Sequence, residues 1–264
     1  MIILRKLTKY FHRGSINEVL ALDDVDLHVR QGDFITVIGS NGAGKSTLLN
    51  CVAGTYQHDT GTILLKGKDI STWPEYRRAG VIGRVFQDPL MGTCASLSIE
   101  QNLALALRRG KKRGLRIGVN RQDRIFFKDR LKTLGLGLEH RLKSSVGLLS
   151  GGQRQALTML MATMVQPDVL LLDEHTAALD PKTAIQIQDL TRLIVEGQKL
   201  TTLMVTHNMG QALLFGNRLI MLHRGRIILD VEGEEKSHMN KEDLLARFYD
   251  LQGEELDSDR MLLA

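Results

Sequence analysis

The sequence predicts an α/β protein built on a parallel sheet with crossover helices. Three observations carry this. Near-continuous apolar runs at Phe34 to Ile38, Val169 to Leu172 and Leu219 to Leu222 have the length and pattern of strands buried on both faces. Helical patterns lie between them. The first run passes through a glycine-rich loop straight into a helix, and strand–helix–strand order sets the strands parallel.

The elements follow in order. Val25, Leu27 and Val29 alternate with Asp26, His28 and Arg30, which predicts a half-buried strand, and Gln31-Gly32-Asp33 reads as a turn. After the loop, Leu48, Leu49, Val52 and Ala53 share one face of a helix over Ser46 to Ala53, which Gly54 ends. Ile63 to Leu65 reads as a strand and Lys66-Gly67-Lys68 as a turn. From about Asp88 to Leu160 no strong strand is expected; helices are, at Ile99 to Arg108, at Gln122 to Leu134 and after Ser150. Asp180 is placed to cap a helix over Pro181 to Glu196, with Pro181 at the first helical position, where its missing N–H costs nothing. Strand patterns return at Leu200 to Val205 and Leu219 to Leu222, and the acidic tail from Gly233 to Ala264 is helical in part.

Composition narrows the class. A chain of 264 residues fits one α/β domain, and 43% hydrophobic with 25% charged residues predicts a folded, soluble protein. A net charge of +5 is too mild to argue for nucleic acid. Residues 108–132 hold eleven basic side chains and two acidic ones, so the rest of the chain is net acidic. Such a stretch is either a solvated helix face or a surface for an anionic partner. Cys51 and Cys94 follow no metal-ligand spacing and form no disulfide framework, which fits a reducing cytosol. The start, Met1-Ile2-Ile3-Leu4-Arg5-Lys6, leads to the expectation of no secretory leader, and no run of 18 apolar residues occurs. A transport role would need another chain to supply the pore.

The loop Gly39-Ser40-Asn41-Gly42-Ala43-Gly44-Lys45-Ser46-Thr47 fits G-x-x-x-x-G-K-[ST] in full and lies between a strand and a helix. Phosphate oxygens require several backbone N–H donors pointing inward; glycines let the backbone come close, and the helix start adds dipoles that favour anions. Lys45 supplies positive charge to the β/γ-phosphates, and the Ser46 hydroxyl suits Mg²⁺. Val169 to Leu172 ends in Asp173 and Glu174, where the carboxyl ends of parallel strands line a ligand crevice. Asp173 is expected to hold Mg²⁺, and Glu174 to polarise the attacking water. Leu149-Ser150-Gly151-Gly152-Gln153 is a second anion trap: a hydroxyl, two glycines and a helix N-terminus. One ATP needs only one phosphate loop, so the second trap points to the ATP of another chain.

Together these motifs resemble the ABC (ATP-binding cassette) ATPases, and further residues fall in that family's order from about Ile3 to Gly225. The resemblance implies that Phe11 stacks on adenine, with Tyr10 as the second choice. It makes Gln87, in Val85-Phe86-Gln87-Asp88, a glutamine loop touching Mg²⁺, Ala178-Leu179-Asp180 a D-loop, and His207 the switch histidine on the γ-phosphate. It implies a P-loop NTPase fold: a RecA-like parallel core over about 1–87 and 161–232, an antiparallel β subdomain, and an inserted helical signature subdomain over about 88–160. Residues 233–264 are then a C-terminal tail. His175 stands where the family usually has Pro.

One cassette without a membrane span, and Ser144-Ser145-Val146-Gly147-Leu148 without the glutamate usual in exporters, favour import. Asp173 to Asp180 resembles the ATPases of small-solute importers that work with a lipoprotein-type binding protein, some linked to aromatic amino acids such as tryptophan or tyrosine. The implied partners are a second copy in a head-to-tail dimer, transmembrane permease subunits and, indirectly, the binding lipoprotein, at the cytoplasmic face of the membrane; nucleic acid is not among them. The alternative is a soluble ABC ATPase of DNA repair or translation. Against it stand the single cassette and the lack of sustained heptads or cysteine clusters.

Overall fold

Residues 1–111 and 118–252 are described by the computed structural model, and they form two compact units. The first unit combines residues 1–78 with the chain from 201 onward. It begins with β1 (Ile2–Phe11), β2 (Val19–Val29), β3 (Phe34–Ile38), α1 (Lys45–Ala53), β4 (Thr60–Leu65), β5 (Lys68–Asp69) and α2 (Glu75–Arg78). The second unit, residues 79–200, holds β6 (Ile82–Val85), α3 (Ile99–Leu107), α4 (Arg121–Lys132), α5 (Gly151–Thr163), β7 (Val169–Asp173) and α6 (Pro181–Gln198). The chain then completes the first unit with β8 (Thr202–Val205), α7 (Met209–Leu214), β9 (Arg218–His223), β10 (Arg226–Glu232), α8 (Gly233–His238) and α9 (Lys241–Gln252).

In the first unit, β2-β1-β4-β5 form an antiparallel sheet, with Ile2 opposite Val29 on one side and Leu65 on the other. The alternation in β2 is as expected: Val25, Leu27 and Val29 are buried while Asp26 and His28 are exposed. The remaining strands run β10-β9-β3-β8. β3 is buried along its whole length and lies parallel to both β8 and β9. This central place explains its unbroken apolar run, since side chains on both faces meet protein.

The second unit pairs β6 with β7 in parallel, Ile82 opposite Val169 and Val85 opposite Leu172. Its helices share a core that includes Ile99, Leu103, Phe127, Leu131, Leu157 and Ile187. Capping boxes start three of them: Ser98 with Gln101, Asn120 with Asp123, and Ser150 with Gln153. The unit thus takes in β6, β7 and α6 as well as the helices of 88–160.

Several element ends differ from the sequence reading: α3 stops at Leu107, and α4 runs over Arg121–Lys132 rather than Gln122 to Leu134. β8 starts at Thr202 rather than Leu200. α6 runs on to Gln198 and ends through Lys199 in the left-handed conformation, with the Leu200 N–H donating to the Val195 carbonyl at 3.0 Å, so the strand cannot begin earlier. The basic stretch of 108–132 is also partly engaged. Arg124 pairs with Glu100 at 2.8 Å, Arg108 with Asp123 at 3.9 Å, and Arg109 donates to the Ala162 carbonyl at 2.9 Å. Its residues 112–117, like the tail beyond 252, lie outside the described residues.

Candidate nucleotide site

In the first unit, β3 delivers the chain into the phosphate loop and α1 carries it away. Gly39 and Gly44 are demanded by packing: a Cβ on Gly39 would stand 2.1 Å from the Leu222 carbonyl oxygen, and one on Gly44 2.4 Å from that of Ala21. Gly42 has φ of +77° and open space where a Cβ would stand, so its requirement is conformational. The Lys45 side chain is buried, and its Nζ donates to the carbonyls of Gly39 at 2.7 Å and Ser40 at 2.9 Å, which holds the cation across the loop. Gly44 provides no side-chain cap and no acid occupies the first turn of α1, whose N-terminal amides therefore face a position suited to an anion. A phosphate fits this cradle. The other end of α1 meets a buried cation: Arg78 donates to the carbonyls of Cys51 and Val52, at 2.7 and 3.0 Å, and also to those of Ser71 and Trp73. Burial lowers the pKa of this guanidinium, whose hydrogen bonds among the described residues all go to backbone carbonyls.

His207 follows β8 and is exposed. The turn around it is fixed from both sides: the Asn208 N–H donates to Thr206 Oγ1 at 3.1 Å, and Asn208 Oδ1 caps α7 by accepting from the Gln211 N–H at 3.0 Å. Phe11 ends β1, half-buried, with its ring edge-to-face on Tyr56 at 5.3 Å. Tyr10 instead lies under the Arg13 guanidinium, 4.9 Å from its ring centre.

In the second unit, β7 ends on the two carboxylates. Asp173 pairs with Arg84 at 3.3 Å, a partner that no sequence pattern singles out. Glu174 has φ of +43°, a left-handed backbone uncommon for a residue with a side chain and often found at functional positions. His175, next in line, is buried; its ring contacts Thr191 Oγ1 at 2.9 Å, and burial lowers its pKa to about 4, so it is neutral. Gln87 follows β6 and is exposed. Asp180 caps α6 as expected, its Oδ1 accepting from the Thr183 N–H at 3.1 Å, after the turn carrying Ala178 and Leu179.

The signature segment opens α5. The Gln153 N–H donates to Ser150 Oγ at 3.2 Å, which leaves the hydroxyl proton to donate elsewhere. Leu149 is buried and Ser150 and Gly151 are exposed. Gly152 is buried, and a Cβ there would lie 2.1 Å from Thr183 Cγ2. Arg154, which the sequence reading passed over, donates to the carbonyls of Val146, Gly147 and Leu149 and so fixes the approach to the signature. Among the described residues no three His, Cys, Asp or Glu side chains converge as a metal site. Ser46 in the first unit, and Gln87 and Asp173 in the second, each carry an oxygen donor of the kind that hard cations prefer.

Comparison with known proteins decides the family. Residues 22–177 match the family described as ABC transporter. The chain belongs to that family. This cassette is an ATPase, the ATP-binding and ATP-hydrolysing subunit of a bacterial ABC transporter. It is 42% identical to the tyrosine transport ATP-binding protein of Clostridioides difficile (strain R20291), over 94% of this chain and 98% of that one. It is 37% identical to the methionine import ATP-binding protein MetN of Streptomyces griseus, over 86% of this chain and 63% of that protein. Among solved structures, a dimeric post-hydrolysis state of an ATP-binding cassette bound to ADP and Pi aligns with a TM-score of 0.74 at 27% identity, covering 88% of this chain and 98% of that one. These cassettes share the P-loop NTPase fold read from the sequence. Among the described residues of the present chain, no helix is long and apolar enough to cross a membrane.

Proposed function

We propose that this cassette powers the import of a small solute, an aromatic amino acid such as tyrosine, from the cytoplasmic face of the cell membrane. The observation that carries the reading is the pair of glycine-rich helix starts in one chain, at Lys45 and at Ser150, neither with an acid in its first turn and both suited to an anion. The solute assignment is supported by the end-to-end likeness to a tyrosine transport ATP-binding protein. The absence of sustained heptads and cysteine clusters gives no support to a soluble repair or translation ATPase.

In this proposal Phe11 stacks on the adenine, and the amides of Gly39 to Thr47 wrap the phosphates beside Lys45. Ser46, Gln87 and Asp173 hold Mg²⁺, which when bound neutralises charge on the phosphate oxygens. Glu174 accepts a proton from the attacking water, and His207 contacts the γ-phosphate. Leu149 to Gln153 offer the Ser150 hydroxyl and the α5 N-terminus to the ATP held by a second copy, head to tail, while Ala178-Leu179-Asp180 form the D-loop. Residues 1–87 and 161–232 act as the nucleotide-binding core, 88–160 as the helical part facing permease subunits, and a solute-binding lipoprotein joins through those subunits.

The test separates binding from chemistry. Glu174→Gln should lose steady-state ATP hydrolysis while keeping ATP binding, because an amide cannot take the water's proton. Lys45→Ala should weaken binding itself. Turnover at the wild-type rate in Glu174→Gln would remove that residue from its role. For the solute, tyrosine-stimulated ATPase of the complex reconstituted with its permease and binding protein should exceed that with alanine; equal rates would overturn the aromatic assignment.

A further inference from the structure

One buried side chain connects three of the motifs within the second unit. Gln155 lies on α5, two residues past the signature segment, and is fully buried. Its Nε2 donates to the carbonyl of His175 at 2.7 Å and to that of Phe86 at 3.2 Å. The first carbonyl belongs to the residue directly after Glu174, the second to the residue directly before Gln87. Both contacts are to acceptors, so the amide orientation is fixed by them. Its Oε1 is left buried without a hydrogen-bond partner. An apolar residue here would spare that oxygen but take the donor away from the carbonyls of His175 and Phe86, so the side chain's contribution is these two donated bonds.

His175 is held a second time, through its ring. The Thr191 hydroxyl donates to the Ile187 carbonyl at 2.7 Å, so at 2.9 Å the His175 Nε2–H is the donor and Thr191 Oγ1 the acceptor. Thr191 is itself fully buried on α6. The residue after Glu174 is thus fixed at its carbonyl from α5 and at its ring from α6. A left-handed backbone at a non-glycine residue persists only when its surroundings over-determine it, and Glu174, at φ of +43°, has these surroundings.

We infer that Gln155 and His175 are positioning residues for the hydrolytic step: with Thr191 they hold Glu174 in its left-handed conformation, and Gln155 ties it to the glutamine loop and the signature helix as one unit. The inference rests on Glu174 being the catalytic carboxylate. Its chemistry is orientation alone. A carboxylate that swings away from the water it polarises loses proton-transfer geometry, while the loop that binds phosphate, carried by the other unit, is unchanged.

The experiment uses the full chain and measures ATP hydrolysis, KM for ATP and thermal midpoint for Gln155→Met, Thr191→Val and Thr191→Ser beside Glu174→Gln. Gln155→Met keeps the volume and removes both donors; Thr191→Val keeps the shape and removes the acceptor of the histidine N–H. Both should lower kcat by roughly ten-fold or more with KM within about two-fold, as expected for misplacing a catalytic group. Thr191→Ser, which keeps the hydroxyl, should retain most of the wild-type kcat. Wild-type kcat in Gln155→Met and Thr191→Val, with Glu174→Gln inactive, overturns this inference and leaves the role of Glu174 standing. If Glu174→Gln itself turns over, the catalytic reading fails first. Loss of folded, ATP-binding protein in both Gln155→Met and Thr191→Val would assign these side chains to the core and overturn the positioning role.

Discussion

At the scale of single residues, neighbouring glycines in one motif answer to different demands. Gly152 is required by packing, since a methyl group there would stand 2.1 Å from Thr183 Cγ2. Gly151 has no such constraint, its Cβ position lying 3.4 Å from Leu179 Cδ2, an ordinary contact. Gly152→Ala should therefore cost about 1–3 kcal/mol of stability, the usual range for overpacking, read as a fall in the unfolding midpoint. Changing Thr183 to Ser in that background removes the offending methyl and should restore most of it. Gly151→Ala should keep wild-type stability and, under the proposed function, lose ATPase activity, because the added methyl stands at the exposed helix start assigned there to the second copy's ATP. Equal stability losses in both single variants would contradict this division. The sequence displayed both glycines as one phosphate-binding feature; that one of them serves helix packing could be seen only once α5 and α6 were placed.

At the scale of elements, α1 ends against a fully buried guanidinium. Arg78 supplies four hydrogen bonds to carbonyls, two of them in the last turn of α1, where positive charge complements the helix dipole. Arg78→Leu leaves those acceptors unmet and should destabilise the protein by about 3 kcal/mol or more, measured by denaturant unfolding. A loss below about 0.5 kcal/mol, the ordinary scatter of surface changes, would show that water replaces the arginine without penalty. The strands, helices and phosphate loop were legible in the sequence because each depends on local pattern: the apolar run of β3, the capping residue Asp180 with Pro181 behind it, and the glycine spacing of residues 39–44. Arg78, Arg84, Arg154 and Gln155 were not. Their partners lie up to 89 residues away or are backbone carbonyls, which carry no residue identity. Element ends were legible only approximately, as at β8, because left-handed Lys199 extends the helical end in a conformation that sequence pattern does not signal for lysine.

At the scale of the whole molecule, two phosphate traps in one chain predict assembly on nucleotide. With hydrolysis blocked by Glu174→Gln, Mg-ATP should convert the chain, together with its membrane partner, to a paired state that ADP does not support, as followed by light scattering or sedimentation. A chain that stays unpaired at saturating Mg-ATP would contradict the head-to-tail arrangement. Synthesis on the ribosome meets a different consequence of the topology. β3, apolar on both faces, pairs with β8 and β9, both encoded after the whole of residues 79–200. At about 5–20 residues per second, the phosphate-loop strand waits on the order of ten to thirty seconds for its neighbours to emerge. During that interval the nascent chain carries an unpaired apolar edge, the kind of segment that chaperones shield and that aggregates when they are scarce. The protein's yield in cells should thus depend on translation speed and chaperone supply more than its equilibrium stability would indicate.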